Sequence, residues 1–390
     1  VVRHPGTGRL MWASRLPFGY LDSPRLFCGL TEAVVSRARA KVAGLDIQFY
    51  VFVDDVLCVG ATDELTRLAM SVLEAEFEER GIQWAPHKKR GPCRCIEFLG
   101  LLLANTDEWR GVTITRKRLG RLLSEIEEWA EKEPSEGRLE ADPKSVASLL
   151  GKLVFASQTV PGGRTYMQGM LSAFKGVIVD WRRGTVTVGG QRGLPLLLPK
   201  GFWRDLRWWQ HHLVLHSFTP FEEAAVGEAG LVLAGTDASG WGTGQLIWKD
   251  GAREEHSLRF TAAEKRRPIN WRELLGIVRV ALLGGERLRG HVVLIESDNM
   301  AAVKSAVKGS SKAEDMQELL RRLLRAARRH GFRVKVTHTP GAKLDRPDQT
   351  SRGDPVEEPR VRLNRQTFEL VAGRFGPFAS YIGAEREHRV

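Results

Sequence analysis

Four acids in the last third of the chain stand where chemistry could be done: Asp237, Glu273, Asp298 and Asp348. Asp237 closes an apolar run from Leu231 to Thr236, and Asp298 follows the apolar run His291 to Glu296. Both runs predict buried strands. Glu273 falls early in a helical pattern from Asn270 to Leu283, and Asp348 stands at the start of a further helix behind Pro347. Acids at strand ends and helix starts converge when those elements share one edge of a mixed sheet. Four of them could then hold two divalent metals, one to activate water and one to stabilise a leaving 3′ oxygen. That chemistry is hydrolysis of a phosphodiester without a covalent intermediate. Taken singly, each acid also reads as a strand-end cap or a solvated helix face. A second pair, Asp54-Asp55, interrupts the apolar run Ile47 to Val59. Adjacent carboxylates between buried strands are costly unless cations neutralise them, and a metal pair serving phosphoryl transfer would do so. The alternative is a solvated turn that contains two acids.

The elements that must position these residues follow from periodicity. Ile47 to Val59 reads as two buried strands joined at Asp54-Asp55. An amphipathic helix follows from Glu64 to Arg80, with Thr62 as N-cap and Gly81 as stop. The stretch 111–230 reads as mostly helical, with helices Arg118 to Lys132 and Ser145 to Ala156 and a turn at Pro161-Gly162-Gly163. Trp203, Trp208 and Trp209 read as core. From 231 to 354 the order is three strands, helix, strand, helix, strand and a final helix near Asp348, with a hairpin turn at Asp250-Gly251. The basic pattern Ala313 to His330 repeats Arg321, Arg322, Arg325, Arg328 and Arg329 at three- and four-residue spacing. It offers either a phosphate-binding face or a solvated charged one. The fold class expected is multidomain, α+β and α/β.

Bulk properties agree with several soluble domains. The chain has 390 residues, 42% hydrophobic and 27% charged. Its net charge of +12 attracts polyanions, of which nucleic acid is the commonest. The four cysteines, Cys28, Cys58, Cys93 and Cys95, have spacing that suits neither a zinc site nor a disulfide framework. No apolar run reaches the roughly 18 residues of a membrane span. The start, Val1-Val2-Arg3-His4-Pro5, has no signal layout, and its lack of a Met leads us to expect a beginning inside a larger reading frame. Few cysteines at irregular spacing suit a reducing compartment, so an intracellular place in cytoplasm or nucleus, without secretion, is expected.

Four motifs in the first 110 residues resemble those of reverse transcriptases, in the right order. Leu16-Pro17-Phe18-Gly19 with Ser23-Pro24 and Phe27 is similar to the motif ahead of the catalytic hairpin, where Gly19 would let template and nucleotide approach the backbone. Phe52-Val53-Asp54-Asp55 resembles that hairpin itself, which implies metal ligation by Asp54 and Asp55. Gly81 to Lys88 resembles the next motif and implies Lys88 near the nucleotide phosphates. Glu97-Phe98-Leu99-Gly100 resembles the hairpin that grips the primer end. The family's further metal-binding Asp and its fingers would fall upstream of Val1. Polymerisation by this chain alone, and use of a dNTP, are therefore not expected without those parts.

Ser148 to Leu153 and Val160 to Arg164 resemble the thumb of retroelements of the DIRS type, which implies Lys152 and Arg164 near duplex phosphates. The stretch 231–352 resembles the RNase H of retroelements. The resemblance maps the family's four acids onto Asp237, Glu273, Asp298 and Asp348. It also matches His338, in Thr337-His338-Thr339-Pro340-Gly341, to a loop histidine linked to product release. Glu296 reads as a bystander.

The expected organisation is a partial palm over 1–110, thumb or connection over 111–230, an RNase H-like domain over 231–354 and an unassigned tail over 355–390. The expected function is that of a retrotransposon reverse transcriptase fragment cutting RNA in RNA–DNA hybrids with two Mg2+ (or Mn2+). Its partners would be the hybrid and a template–primer duplex, bound in part by Arg321 and Arg325, with no membrane. The alternative is a decayed or co-opted element that binds nucleic acid without catalysis.

Overall fold

A computed structural model describes residues 2–3, 6–11, 19–135, 138–215, 217–221, 230–341 and 344–352. Leu16, Pro17, Phe18 and the tail over 355–390 lie outside the described residues. The chain divides into two compact units, Val1–Thr115 and Arg116–Val390. It is a mixed α/β protein with several separate sheets.

In the first unit, α1 (Ser23–Lys41) and α2 (Asp63–Glu79) cover a hairpin of β1 (Ile47–Phe52) and β2 (Asp55–Gly60). Val35, Ala38, Ile47, Phe49, Ala69 and Leu73 form the core between them. The Thr62 hydroxyl caps α2 by accepting from the Leu65 N–H at 3.2 Å, as its position predicts. Phe52 pairs with Asp55, so the turn is Val53-Asp54. Val53 has φ 56°, which makes a two-residue turn of the II′ kind with a β-branched residue where glycine is usual. The expectation that these two strands are buried is corrected. Ile47 and Phe49 are buried, whereas Tyr50 and Phe52 are exposed. Side chains alternate along a strand, and only one face meets the two helices. A meander of β3 (Cys95–Phe98), β4 (Leu101–Asn105) and β5 (Arg110–Ile114) completes the unit. Its first turn, Leu99-Gly100, has both φ values positive, at 50° and 77°. That is the I′ geometry of tight hairpins.

The second unit opens with α3 (Arg116–Ala130) and α4 (Pro143–Ala156). A small antiparallel sheet follows, of β6 (Val177–Asp180), β7 (Thr185–Val188) and β8 (Gln191–Leu194), and then α5 (Lys200–Leu215). The reading of 111–230 as mostly helical overlooked this sheet. Its β-branched runs Val177-Ile178-Val179 and Thr185 to Val188 carried the signal. Trp203 and Trp209 are buried, as expected of core, whereas Trp208 is half-buried and stacks on Tyr166 at 4.2 Å.

The rest of the unit is a five-stranded mixed sheet: β9 (Leu231–Ala238), β10 (Gly242–Lys249), β11 (Ala252–Arg259), β12 (Val292–Ser297) and β13 (Arg333–His338). The spatial order is β11-β10-β9-β12-β13, antiparallel through the first three and parallel from β9 to β13. The succession of strands along the chain is the one read from periodicity. The parallel steps are crossed by α6 (Ile269–Gly284), and by α7 (Met300–Lys308) with α8 (Glu314–His330). A last helix, α9 (Asp345–Arg352), also packs on the sheet. Val232, Ile247, Leu274, Val278, Val293, Ile295 and Leu320 belong to its continuous core. The hairpin at Asp250-Gly251 has the expected I′ signs, φ 50° and 77°.

Candidate active site

Strand register brings the acids together. Gly235 of β9 lies beside Glu296 of β12, so two residues on, Asp237 and Asp298 leave the sheet side by side. Glu273 approaches because α6 packs tightly on β9. A Cβ on Gly276 would come within 2.5 Å of the Thr236 hydroxyl oxygen. As a result, carboxylate oxygens of Asp237, Glu273 and Asp298 all lie within 4.8 Å of one another.

The three groups are crowded and mostly withdrawn from water. Asp237 and Glu273 are buried and Asp298 is half-buried. Burial, with repulsion from Asp298 and Asp348, pushes the Asp237 carboxyl up to about 6. Burial, with repulsion from Asp237 and Asp298, pushes Glu273 up to about 9. The Glu273 Oε2 atom is buried with no hydrogen-bond partner. An orphaned carboxylate oxygen facing two further carboxylates calls for a cation. An all-oxygen donor set of this kind suits a hard divalent ion.

Asp348 joins from α9. Its charge acts on Asp237, and its helix is tied to the site through Ser351. The Ser351 hydroxyl lies 3.1 Å from Asp237 Oδ2 and 2.7 Å from the Asp348 carbonyl. α9 reaches this close only because Gly244 faces it. A Cβ there would stand 2.1 Å from the Pro347 carbonyl oxygen and 2.6 Å from the Ser351 nitrogen. Gly244→Ala is therefore expected to push α9 off β10, at a cost of about 1–3 kcal/mol. It would draw Asp348 and Ser351 away from Asp237. Thermal unfolding and hybrid cleavage measured together test this, and unchanged values for both would refute it.

His338 lies in register with Ser297. Its Nε2 donates to the Asp298 carbonyl oxygen at 3.0 Å, since a carbonyl only accepts. The loop after it is latched from below. The buried Thr339 hydroxyl donates to Glu296 Oε1 at 2.9 Å, and its N–H donates to the Ser297 carbonyl at 3.0 Å. Glu296, read from sequence as a bystander, thus helps to hold the His338 loop. Gly341 follows, where a Cβ would meet Asp298 Oδ2 at 2.9 Å. Thr339→Val keeps shape but removes the donor. It should cost about 1–3 kcal/mol and loosen the loop, read as faster amide exchange over His338 to Gly341. No change in exchange would sink the latch.

The other residues singled out from sequence are placed as follows. Asp54 and Asp55 are exposed at the tip of the β1–β2 hairpin and stand outside the three-carboxylate grouping. Gly19 has φ 82°, and Lys88 ends a short 3-10 turn, exposed. Phe98, Leu99 and Gly100 make the β3–β4 turn. Lys152 is bonded to Glu125 at 2.6 Å, and Arg164 is exposed. Arg325 is exposed and bonded to Glu318 at 2.6 Å.

Arg321 is a correction. It is 1% exposed, and its guanidinium is 3.0 Å from Asp205 of α5. The four residues Gln317, Arg321, Leu324 and Arg328 form one stripe of α8. Gln317 donates to the Thr165 carbonyl at 2.6 Å, Leu324 faces Gly162, and Arg328 bonds the Pro161 carbonyl. That stripe packs on the preceding helices, so the solvent-facing positives of α8 are Arg322, Arg325 and Arg329.

Among the described residues, no helix is long and apolar enough to cross a membrane. Residues 3–103 match the family model described as reverse transcriptase (RNA-dependent DNA polymerase). That stretch carries the sequence pattern of reverse transcriptases, the family its motifs resemble. No curated protein sequence matches the chain. Solved structures similar to it include the foamy viral protease-reverse transcriptase dRH in complex with double-stranded DNA. That match has 18% identity and a TM-score of 0.39, and covers 83% of this chain and 50% of the viral one. The same viral protein in complex with an RNA/DNA hybrid also has 18% identity and a TM-score of 0.39, covering 90% and 41%. RNase H1 from Halobacterium salinarum NRC-1 has 15% identity and a TM-score of 0.26, covering 32% of this chain and 96% of the archaeal one. The chain spans about half the length of the viral protein it matches.

Proposed function

We propose that this chain, whose residues 3–103 carry the reverse transcriptase pattern, belongs to a retrotransposon of DIRS-like type and cuts the RNA strand of RNA–DNA hybrids. The observation that carries this reading is the convergence of Asp237, Glu273 and Asp298, with Asp348 beside them, at the end of a β11-β10-β9-β12-β13 sheet. In this reading 1–110 is a partial palm, 111–230 a thumb or connection and 231–354 the nuclease domain. Asp54, Asp55 and Lys88 would serve polymerisation and a dNTP in company with the family's further metal-binding Asp and its fingers.

Two Mg2+ ions (or Mn2+), when bound, supply an activated water and charge for the leaving 3′ oxygen. Asp237, Glu273, Asp298 and Asp348 would hold them. Ser351 orients Asp237, and His338, fixed by the Asp298 carbonyl, stands at the rim where product leaves. Hybrid and template–primer duplex would be gripped by Gly19, Phe98, Leu99, Gly100, Lys152, Arg164 and Arg325. Arg321 is withdrawn from that set by its burial. The retained carboxylates favour catalysis over the co-opted binder. The test is cleavage of a labelled RNA–DNA hybrid with Mg2+ and with EDTA, beside Asp298→Asn. Hybrid binding by folded protein without any cutting would overturn the nuclease reading and favour the binder.

A further inference from the structure

The small sheet between α4 and α5 carries a tip that the proposed active site does not use. β6 and β7 pair from Val177 with Val188 to Asp180 with Thr185, and Trp181-Arg182-Arg183-Gly184 joins them. The tip is shaped by its own hydrogen bonds. Asp180 Oδ1 accepts from the Arg182 N–H at 3.0 Å and the Arg183 N–H at 3.1 Å, and Gly184 closes the turn at φ 67°. Val186 is buried and anchors the inner face. The outer side is open: Trp181 is 50% exposed and Ile178 74%. Phe174 props the Trp181 ring at 6.4 Å.

Charge decides what such a tip fits. Residues 172–193 contain Lys175, Arg182, Arg183 and Arg192 against one acid, Asp180, so four positive charges less one negative leaves +3. Asp180 is spent on backbone N–H groups, and its nearest guanidinium, Arg183, is 3.9 Å away and highly exposed. An apolar protein partner would have to bury those cations unpaired. A nucleic-acid duplex meets them with phosphates and offers sugars and base edges to an aromatic ring.

We propose that the β6–β7 hairpin is a wing that grips the nucleic-acid duplex. Arg182 and Arg183 lie on phosphates, and Trp181 packs against sugar or base edges in the adjoining groove. The proposal rests on the hybrid-binding reading above. It adds a binding surface that lies apart from the acids and from the residues matched to the family's motifs.

The test measures binding of a labelled RNA–DNA hybrid by the full chain from about 50 to about 200 mM salt. The variants are Arg182→Ala with Arg183→Ala, and separately Trp181→Ala. The double variant should bind roughly tenfold more weakly at low salt, and its log–log salt slope should fall by about 0.9 for each phosphate no longer neutralised. Trp181→Ala should weaken binding by roughly fivefold or more at an unchanged slope, since stacking releases no counterions. These exposed substitutions should leave the thermal transition in place, which separates a weaker grip on the duplex from unfolding. Wild-type affinity and slope in the double variant would overturn the wing. Asp298→Asn keeps the wing intact. If wild type and Asp298→Asn both bind through the wing and neither cuts, only the nuclease reading fails. A wild-type chain that binds no hybrid overturns both.

Discussion

Asp298→Asn is expected to lower Mg2+-dependent cleavage of an RNA–DNA hybrid roughly a thousandfold, the ~4 kcal/mol that losing one metal ligand costs a transition state. Hybrid binding should persist. The reason is the geometry of three carboxylates whose oxygens share one 4.8 Å grouping. The same crowding makes metal and pH interdependent. Glu273 is raised from 4.5 to about 9 and Asp237 from 3.8 to about 6, so the folded chain holds protons that the unfolded chain gives up. Each group's contribution is therefore fully present below its unfolded value and is lost as pH rises through its folded value. In EDTA, stability should fall across the window from about 4 to about 9. Added Mg2+ binds the deprotonated acids, so the Tm gain it brings should be small near pH 5 and grow toward pH 9. Glu273→Gln should remove the part of the fall nearest 9. Scanning Tm against pH with and without Mg2+ checks this. A metal-induced gain equal at both ends of the range would count against the cluster as a metal site.

Asp205→Ala should destabilise the second unit by about 3–5 kcal/mol, the usual result of leaving one member of a buried ion pair alone. Asp205 and Arg321 are both buried and 3.0 Å apart. Burial is the larger influence on the Asp205 carboxyl and pushes it above its ordinary value, against the pull of Arg321 and the Gly169 N–H. Removing the aspartate leaves the buried Arg321 guanidinium with the more exposed Glu318, 3.5 Å away, and strips the Gly169 N–H of its acceptor at 2.6 Å. Asp205→Leu combined with Arg321→Met should recover most of the loss, because two apolar groups have no charge to desolvate. Denaturant unfolding of the single and double variants gives the comparison. A single variant within about 1 kcal/mol of wild type would show that the pair behaves like a surface one. The ion pair also explains why a helix with five arginines in its pattern presents only part of them to solvent. One stripe of α8 is committed to Tyr166, Thr165 and Asp205 before any nucleic acid arrives.

Local order was legible in the chain because local order depends on near neighbours. The tight hairpin turn at Val53-Asp54, one residue from its reading at Asp54-Asp55, the Thr62 cap, the Asp250-Gly251 hairpin and the succession of strands and helices after Leu231 each follow from spacing within a few residues. Asp237 and Asp298 stand at strand ends that periodicity reads, whereas Glu273 and Asp348, inside their helices, were singled out by the resemblance to retroelement RNase H. Only the tertiary structure decided which of these acids meet. That depends on the parallel register of β9 with β12 and on Gly276 and Gly244, whose missing side chains let α6 and α9 close on the sheet. It alone decided that Arg321 turns inward, because its partner Asp205 is 116 residues away in sequence. It also decided that Glu296 latches a loop 43 residues further on. Periodicity records which face of an element avoids water, but not what that face meets, because the partner is chosen by packing at long range.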